Sequence, residues 1–254
     1  MDSSNFWKQP KSFLSFLEKL LLARWRSLLV LLLGVGLPLL VFEQLAVVIW
    51  QNKGGFPWDE PILLAIHERA TPQLDAFVVR FTDLGVYQGV LPAAIVISMA
   101  LLYWRRWRSL TYLLVTLIGS VFINRTAKVL LHRVRPHLWD SIVSKLDYGF
   151  PSGHAMSTMT FIAVLVILTW GTRWCWLVLL SGSLFVVAIG WTRLYLGVHF
   201  PSDILAGWMV SLAWAIGVSM LIKPHLNTAS VLNDDPPSDE TSLLPQESES
   251  LNQN

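Results

Sequence analysis

Six long apolar stretches, each almost free of charge, constrain this chain more than any other feature. They lie at about 28–50, 86–104, 109–127, 155–171, 174–192 and 204–222. At about 1.5 Å of rise per helical residue, stretches of this length approach the ~30 Å of a bilayer's hydrocarbon core. Inside lipid, backbone N–H and C=O groups find no water, so a run of this kind satisfies them by forming a helix. The expected fold is therefore all-α: a six-transmembrane-helix bundle with short surface helices and a disordered C-terminal tail. A large soluble helical core is a poor competitor, because such cores do not repeat near-uncharged stretches of this length. Composition agrees. The 254 residues are 54% hydrophobic and only 14% charged, against about 25% charge in a typical soluble domain. Many of the 13 tryptophans sit where apolar runs end (Trp50, Trp104, Trp107, Trp170, Trp174), the pattern of an interfacial aromatic belt. A net charge of +2 is too small to point to nucleic acid, and the single cysteine, Cys175, excludes an intrachain disulfide.

Three regions follow. Residues 1–27 read as a cytoplasmic segment holding an amphipathic interfacial helix, rather than a cleaved signal peptide. Residues 28–222 form the six-span domain. Residues 223–254 form a tail rich in Asp, Glu, Ser, Asn and Pro, expected to be disordered. Between the first two spans, Pro57, Pro61 and Pro72 punctuate a mixed stretch that reads as two short helices on the membrane surface. Lysine and arginine set the orientation. Each set of alternate loops carries nine, but those of the N-terminal set crowd short segments abutting the spans, such as Arg105, Arg106 and Arg108. Both termini are accordingly placed in the cytoplasm. The chain reads as a multi-pass protein of the plasma or inner membrane, with the loops after spans one, three and five facing outward.

Two of those outward loops hold most of the unusual polar residues. The first runs from Lys128 through Arg135-Pro136 to Pro151-Ser152-Gly153-His154; the second runs from Thr192-Arg193 through His199 to Asp203. Two crossings separate them, which returns both to one face. Taken singly, each group has an ordinary reading: basic residues near span ends snorkel to the interface, and lone histidines there are solvated. Taken together, three cations, two histidines and a Ser-Gly turn at one membrane boundary imply a shared cavity. Lys128, Arg135 and Arg193 suit a phosphate dianion and the charge that its oxygens carry in the transition state. Ser152 and Gly153 precede span four, and a helix N-terminus binds anions. Asp203 lies four residues after His199, where a carboxylate can hold one imidazole nitrogen and leave the other free to attack. His154 then remains as proton donor to the leaving group. These loops contain no dense carboxylate or cysteine cluster, so no metal and no cofactor is expected.

This arrangement resembles the type-2 phosphatidic-acid phosphatase superfamily, which includes lipid phosphatases and the vanadium haloperoxidases. The family pattern is Lys-x6-Arg-Pro, Pro-Ser-Gly-His and Ser-Arg-x5-His-x3-Asp. It is met here by Lys128…Arg135-Pro136, by Pro151-Ser152-Gly153-His154 and by Thr192-Arg193…His199…Asp203. Thr192 replaces the family's serine and keeps its hydroxyl. The resemblance implies a six-helix membrane fold with its site at the outer leaflet. It implies His199 as nucleophile through a phosphohistidine, with His154 as acid and then base. Lys128, Arg135, Ser152, Gly153 and Arg193 would hold phosphate, and Asp203 would orient His199. His132 and His137 match no motif position and read as solvated loop residues.

The expected function is metal-independent removal of the terminal phosphate of a lipid phosphate such as phosphatidic acid. The expected partners are that lipid and the bilayer, with no nucleic acid; the motifs are silent on oligomeric state. A polyprenyl diphosphate is the alternative substrate, since the motifs contact only phosphate. A lipid phosphotransferase would need an acceptor pocket that the sequence does not display. A transporter would place its polar groups near the midplane, whereas these gather at span ends. A haloperoxidase would share the site but not the membrane layout.

Overall fold

A computed structural model describes Ser15, Lys19 and residues 22–52, 55–139 and 147–225. The chain divides into two units, Met1–Pro224 and His225–Asn254, and the description concerns the first. Most of the expected interfacial helix, and the tail from residue 226 onward, lie outside the described residues.

All regular structure among the described residues is helical. The first helix, α1, is the apolar stretch Leu22–Gln51, with a π-helical segment at Val30–Gly36. Two short helices follow, α2 (Asp59–His67) and α3 (Pro72–Asp83), where the proline-punctuated stretch predicted a pair. Then come α4 (Val90–Tyr103), α5 (Trp107–Leu131), α6 (Gly153–Leu168), α7 (Trp174–Tyr195) and α8 (Pro201–Ile222). Four of these, α1, α5, α7 and α8, are long and apolar enough to cross a membrane. Helices α4 and α6 are apolar but shorter, at 14 and 16 residues.

Hydropathy and helix differ most at the ends that carry charge. The apolar run of span three ends near residue 127, yet α5 continues one turn further and carries Lys128 with it. Likewise α7 runs to Tyr195 and holds Arg193 in its last turn. Lys and Arg are good helix formers, so the backbone ladder continues past the last apolar residue. Both residues, read from sequence as loop positions, stand on helix ends. Helix α5 stops where His132 turns left-handed at φ 46°. At the other boundary, Pro201 opens α8 with its fixed φ and places Asp203 in the first turn.

Helix α6 forms the centre, packed against α5, α7 and α8, while α1 packs on α8. Small residues permit the close approach, as they do between membrane helices. A Cβ on Gly207 of α8 would lie 3.1 Å from the Ser152 carbonyl oxygen and 3.2 Å from Ala155 Cβ. At the C-terminal end of α7, α3 is tied to it: the Tyr195 hydroxyl donates to Asp75 (2.6 Å) and accepts from the Thr71 N–H (3.3 Å). The result is one end of the bundle where α5 and α7 finish and α6 and α8 begin.

Candidate active site

At that end a cleft of about 410 Å³ opens. Its wall includes Lys128, Arg135, Gly153, His154, Arg193 and His199. Residues 71 positions apart in sequence thus face one cavity, as the two-crossing argument required. Ser152 and Asp203 lie just behind, fully buried, and the Ser152 N–H donates to the Asp203 carbonyl (3.1 Å), joining the two motif loops directly.

His199 sits in the short turn between α7 and α8 and is 2% exposed. Its Nδ1 lies 3.3 Å from Asp203 Oδ2, which also accepts from the Phe200 N–H (2.9 Å). Its Nε2 lies 2.9 Å from Arg135 Nη1. A guanidinium only donates, so that contact makes Nε2 the acceptor and leaves the ring proton on Nδ1, toward the carboxylate. Burial holds the His199 pKa well below its ordinary value, and the cations of Arg135, Arg193 and Lys128 push in the same direction. A neutral imidazole with its bare lone pair toward the cleft is the form a nucleophile requires.

Arg193 is anchored separately from the other two cations. Arg193 Nη1 donates to Thr82 Oγ1 of α3 (2.9 Å), which also accepts from Thr192 Oγ1 (2.9 Å). Arg135 is pinned by the carbonyls of Val198 (2.6 Å) and Asp147 (2.8 Å). Four buried polar atoms are unpartnered among the described residues, Arg133 Nε, Ser152 Oγ, Arg193 Nε and Trp208 Nε1, and of these Ser152 Oγ and Arg193 Nε belong to the motif residues. An unpaired buried donor is costly, and an anion in the cleft offers acceptors of the required kind. The first N–H groups of α6 lack helical partners for the same reason as at any helix start.

Three participants escaped the sequence reading. Asp147 receives Lys128 Nζ on one oxygen (2.5 Å) and Arg135 Nη2 on the other (2.7 Å). Its partial burial works against ionisation, but the Lys128 hydrogen bond and the Arg135 charge overcome that and hold its carboxyl well below the usual range. Arg133, two residues before Arg135, is completely buried and bridges Asp203 to Asp59. Asp59 opens α2 and is 1% exposed. Nothing in the local pattern marks these residues; a buried Arg between two Asp is a tertiary fact. By contrast, His132 and His137 are exposed, as read, and the His132 ring meets Tyr148 edge-on.

Away from the charges, the cleft extends between α4 and α5 along Val90, Leu91, Ala94, Leu117 and Val121, with Arg125 at its polar end.

Comparison with known proteins falls into line with this geometry. Residues 109–225 match the PAP2 superfamily. The chain is 29% identical over 160 residues to phosphatidylglycerophosphatase B of Bacillus subtilis, covering 61% of this chain and 78% of that protein. It is also 29% identical over 133 residues to an undecaprenyl-diphosphatase of Sulfolobus acidocaldarius, covering 50% and 62%. Among solved structures, the PAP2-type phosphatidylglycerolphosphate phosphatase of Bacillus subtilis superposes with a TM-score of 0.66 at 27% identity. That match covers 75% of this chain and 96% of the other. Aquifex aeolicus LpxE shares the fold, with a TM-score of 0.54 at 24% identity over 65% of this chain and 96% of its own.

Proposed function

We propose that this integral membrane protein, whose residues 109–225 form a PAP2 superfamily domain, is a phosphatase that removes the terminal phosphate of a membrane lipid through a phosphohistidine. The observation that carries this reading is the polarity of His199: Nδ1 toward Asp203, and Nε2 toward Arg135 in a cleft that Lys128 and Arg193 also line. In the first step Nε2 forms a bond to phosphorus, and the P–O bond to the lipid breaks. His154 supplies the proton to the leaving oxygen. Arg135 passes from the imidazole to a phosphate oxygen, and with Lys128, Arg193, Ser152 and the Gly153 N–H it holds the charge of the transition state. In the second step His154 takes a proton from water, the new oxygen bonds to phosphorus, and the P–N bond breaks to release phosphate. The charge is neutralised by guanidinium and ammonium groups, so turnover is expected in the presence of a chelator. His199→Ala should abolish it, and wild type quenched in alkaline detergent should carry phosphate on nitrogen that is stable to base and released by acid. Phosphate trapped on His154, with His199→Ala still turning over, would reverse the assignment.

Helices α4 and α6 complete six crossings in this reading, with Arg105, Arg106 and Arg108 on the cytoplasmic side and the cleft on the other. Arg105 and Arg106 lie in the short turn between α4 and α5 and Arg108 in the first turn of α5, at the opposite end of that helix from Lys128. In a variant lacking Cys175, a membrane-impermeant thiol reagent should reach cysteines placed at His137 and Arg106 from opposite sides of a sealed vesicle. Same-side labelling would refute the six-span arrangement.

Relatives named for phosphatidylglycerophosphate, undecaprenyl diphosphate and lipid A have in common a phosphate on a lipid. Phosphatidic acid is the leading substrate proposed here. A polyprenyl diphosphate is the second, favoured by Arg125, a further cation at the cleft wall.

A further inference from the structure

Behind His199 the structure holds a second layer of charge that the phosphatase chemistry above does not use. Arg133 lies in the loop after α5 and its side chain is completely buried. Its Nη2 donates to Asp59 Oδ2 (2.7 Å), and its Nη1 donates to Ser202 Oγ (2.7 Å) and to Asp203 Oδ1. Its guanidinium carbon stacks 4.4 Å from the Phe200 ring centroid. Asp59 is fixed in turn by the Phe56 N–H (3.1 Å), the Ser202 N–H (3.0 Å) and the Ser202 hydroxyl (2.6 Å). Room for the guanidinium is made by Gly55: a Cβ there would lie 2.0 Å from Arg133 Nη2, and its φ of +100° excludes most other residues.

Burying one cation between two carboxylates is costly, and as a stabilising device it is often no better than apolar packing. Its geometry, however, has a specific consequence. Asp203 has two oxygens; Arg133 occupies Oδ1, which leaves Oδ2 directed at His199 Nδ1. The Phe200 N–H also holds Oδ2 (2.9 Å), so with Arg133 on the other oxygen the carboxylate is fixed on both sides of a torsion that is otherwise broad. Groups behind a reactive histidine fix its tautomer and ring orientation. We propose that Arg133 and Asp59 are positioning residues of the reaction: they hold the Asp203 carboxylate charged and oriented, and act on His199 only through it. Asp59 belongs to α2, outside the 109–225 domain match, so the short helices before α4 take part in aligning the nucleophile.

This inference rests on His199 acting as nucleophile. The test is a double-mutant cycle on purified full-length protein, reading kcat, KM and the rate of phosphoenzyme formation. Arg133→Lys keeps a cation but loses the fork. It should lower kcat and the phosphoenzyme rate about tenfold or more, with KM changed less than twofold. In an Asp203→Asn background the same substitution should change kcat less than twofold. Asp59→Asn, run in the same cycle, should behave the same way with a smaller effect, and it decides the question where Arg133→Lys fails to fold. Equal loss of kcat in both backgrounds, or unchanged kcat in folded Arg133→Lys and Asp59→Asn, would overturn the proposal. Turnover by His199→Ala would instead overturn the phosphohistidine reading on which it rests.

Discussion

Asp147 occupies the place where the proposed reaction would seat the substrate's charge. With one oxygen on Lys128 and the other on Arg135, it presents two acceptors to the same cations that a phosphate would use. Its side chain is 55% exposed, so it can swing out toward solvent. In the proposed reaction phosphate entry would exchange one anion for another, and the cations would keep a partner in both states. Asp147→Asn keeps the shape and removes the charge. It should lower KM several-fold and tighten inhibition by vanadate, which mimics five-coordinate phosphorus. Weaker vanadate inhibition in the variant would show that Asp147 helps to build the site rather than competing for it. The sequence made Lys128, Arg135 and Arg193 legible because cations at membrane boundaries carry a cost that function must justify. Asp147 and Asp59 were not legible, because a single carboxylate in a polar loop carries no such cost. Arg133 was hidden for another reason: among several basic residues at a span end, it looks like one more that snorkels to the interface.

At the scale of helices, apolar runs predicted where elements lie but not where they stop. Lys128, Arg193 and Asp203 all stand inside helices, each just beyond the end of an apolar run, so these three groups ride on rigid helix ends, while Arg135 and His199 stand in the turns beside them. That rigidity depends on how closely α8 can approach α6. Gly207 faces the first turn of α6, where a Cβ would meet Ser152 O, Ala155 Cβ and Met156 Cγ within 3.1–3.3 Å. Valine adds two more methyl groups to a contact already tighter than ordinary packing, and overpacking of this kind typically costs about 1–3 kcal/mol. Part of that strain is relieved by moving α6 away from α8. Such a shift separates His154 on one helix from His199 and Asp203 beside the other. Gly207→Val should therefore lower kcat/KM about tenfold or more while the protein remains extractable in detergent with native mobility on gel filtration. Full activity in that variant would show that the α6–α8 spacing does not set the site. Composition gave no warning of this contact, because a glycine in a membrane helix becomes informative only when its neighbour is known.

For the molecule as a whole, the cleft joins two environments, and that junction decides what can be a substrate. Its charged end holds Lys128, Arg135 and Arg193; its other arm, between α4 and α5, is lined by Val90, Leu91, Ala94, Leu117 and Val121. The outer faces of these helices are apolar as well, with Val96, Met99, Ile118 and Phe122 all more than half exposed, as suits contact with lipid. A phosphate seated at the cations can thus keep its chains beside the helices or in the bilayer. Each buried CH₂ contributes about 0.8 kcal/mol to holding such a molecule at the membrane, so the protein need read little beyond the phosphate. Sugar phosphates lack this anchoring and meet only the charged end. Across phosphatidic acid, lysophosphatidic acid, a polyprenyl diphosphate and glucose 6-phosphate, kcat/KM should therefore favour the lipids by about a hundredfold or more. Arg125 is the group proposed to separate the lipids from one another. It lies three residues before Lys128, on the same face of α5, and lines the same cleft. Arg125→Gln should lower kcat/KM several-fold for the polyprenyl diphosphate and leave phosphatidic acid nearly unchanged. Equal losses on both would make Arg125 a general attractor of anions, and a wild-type preference for glucose 6-phosphate would overturn the lipid reading while leaving the histidine chemistry in place.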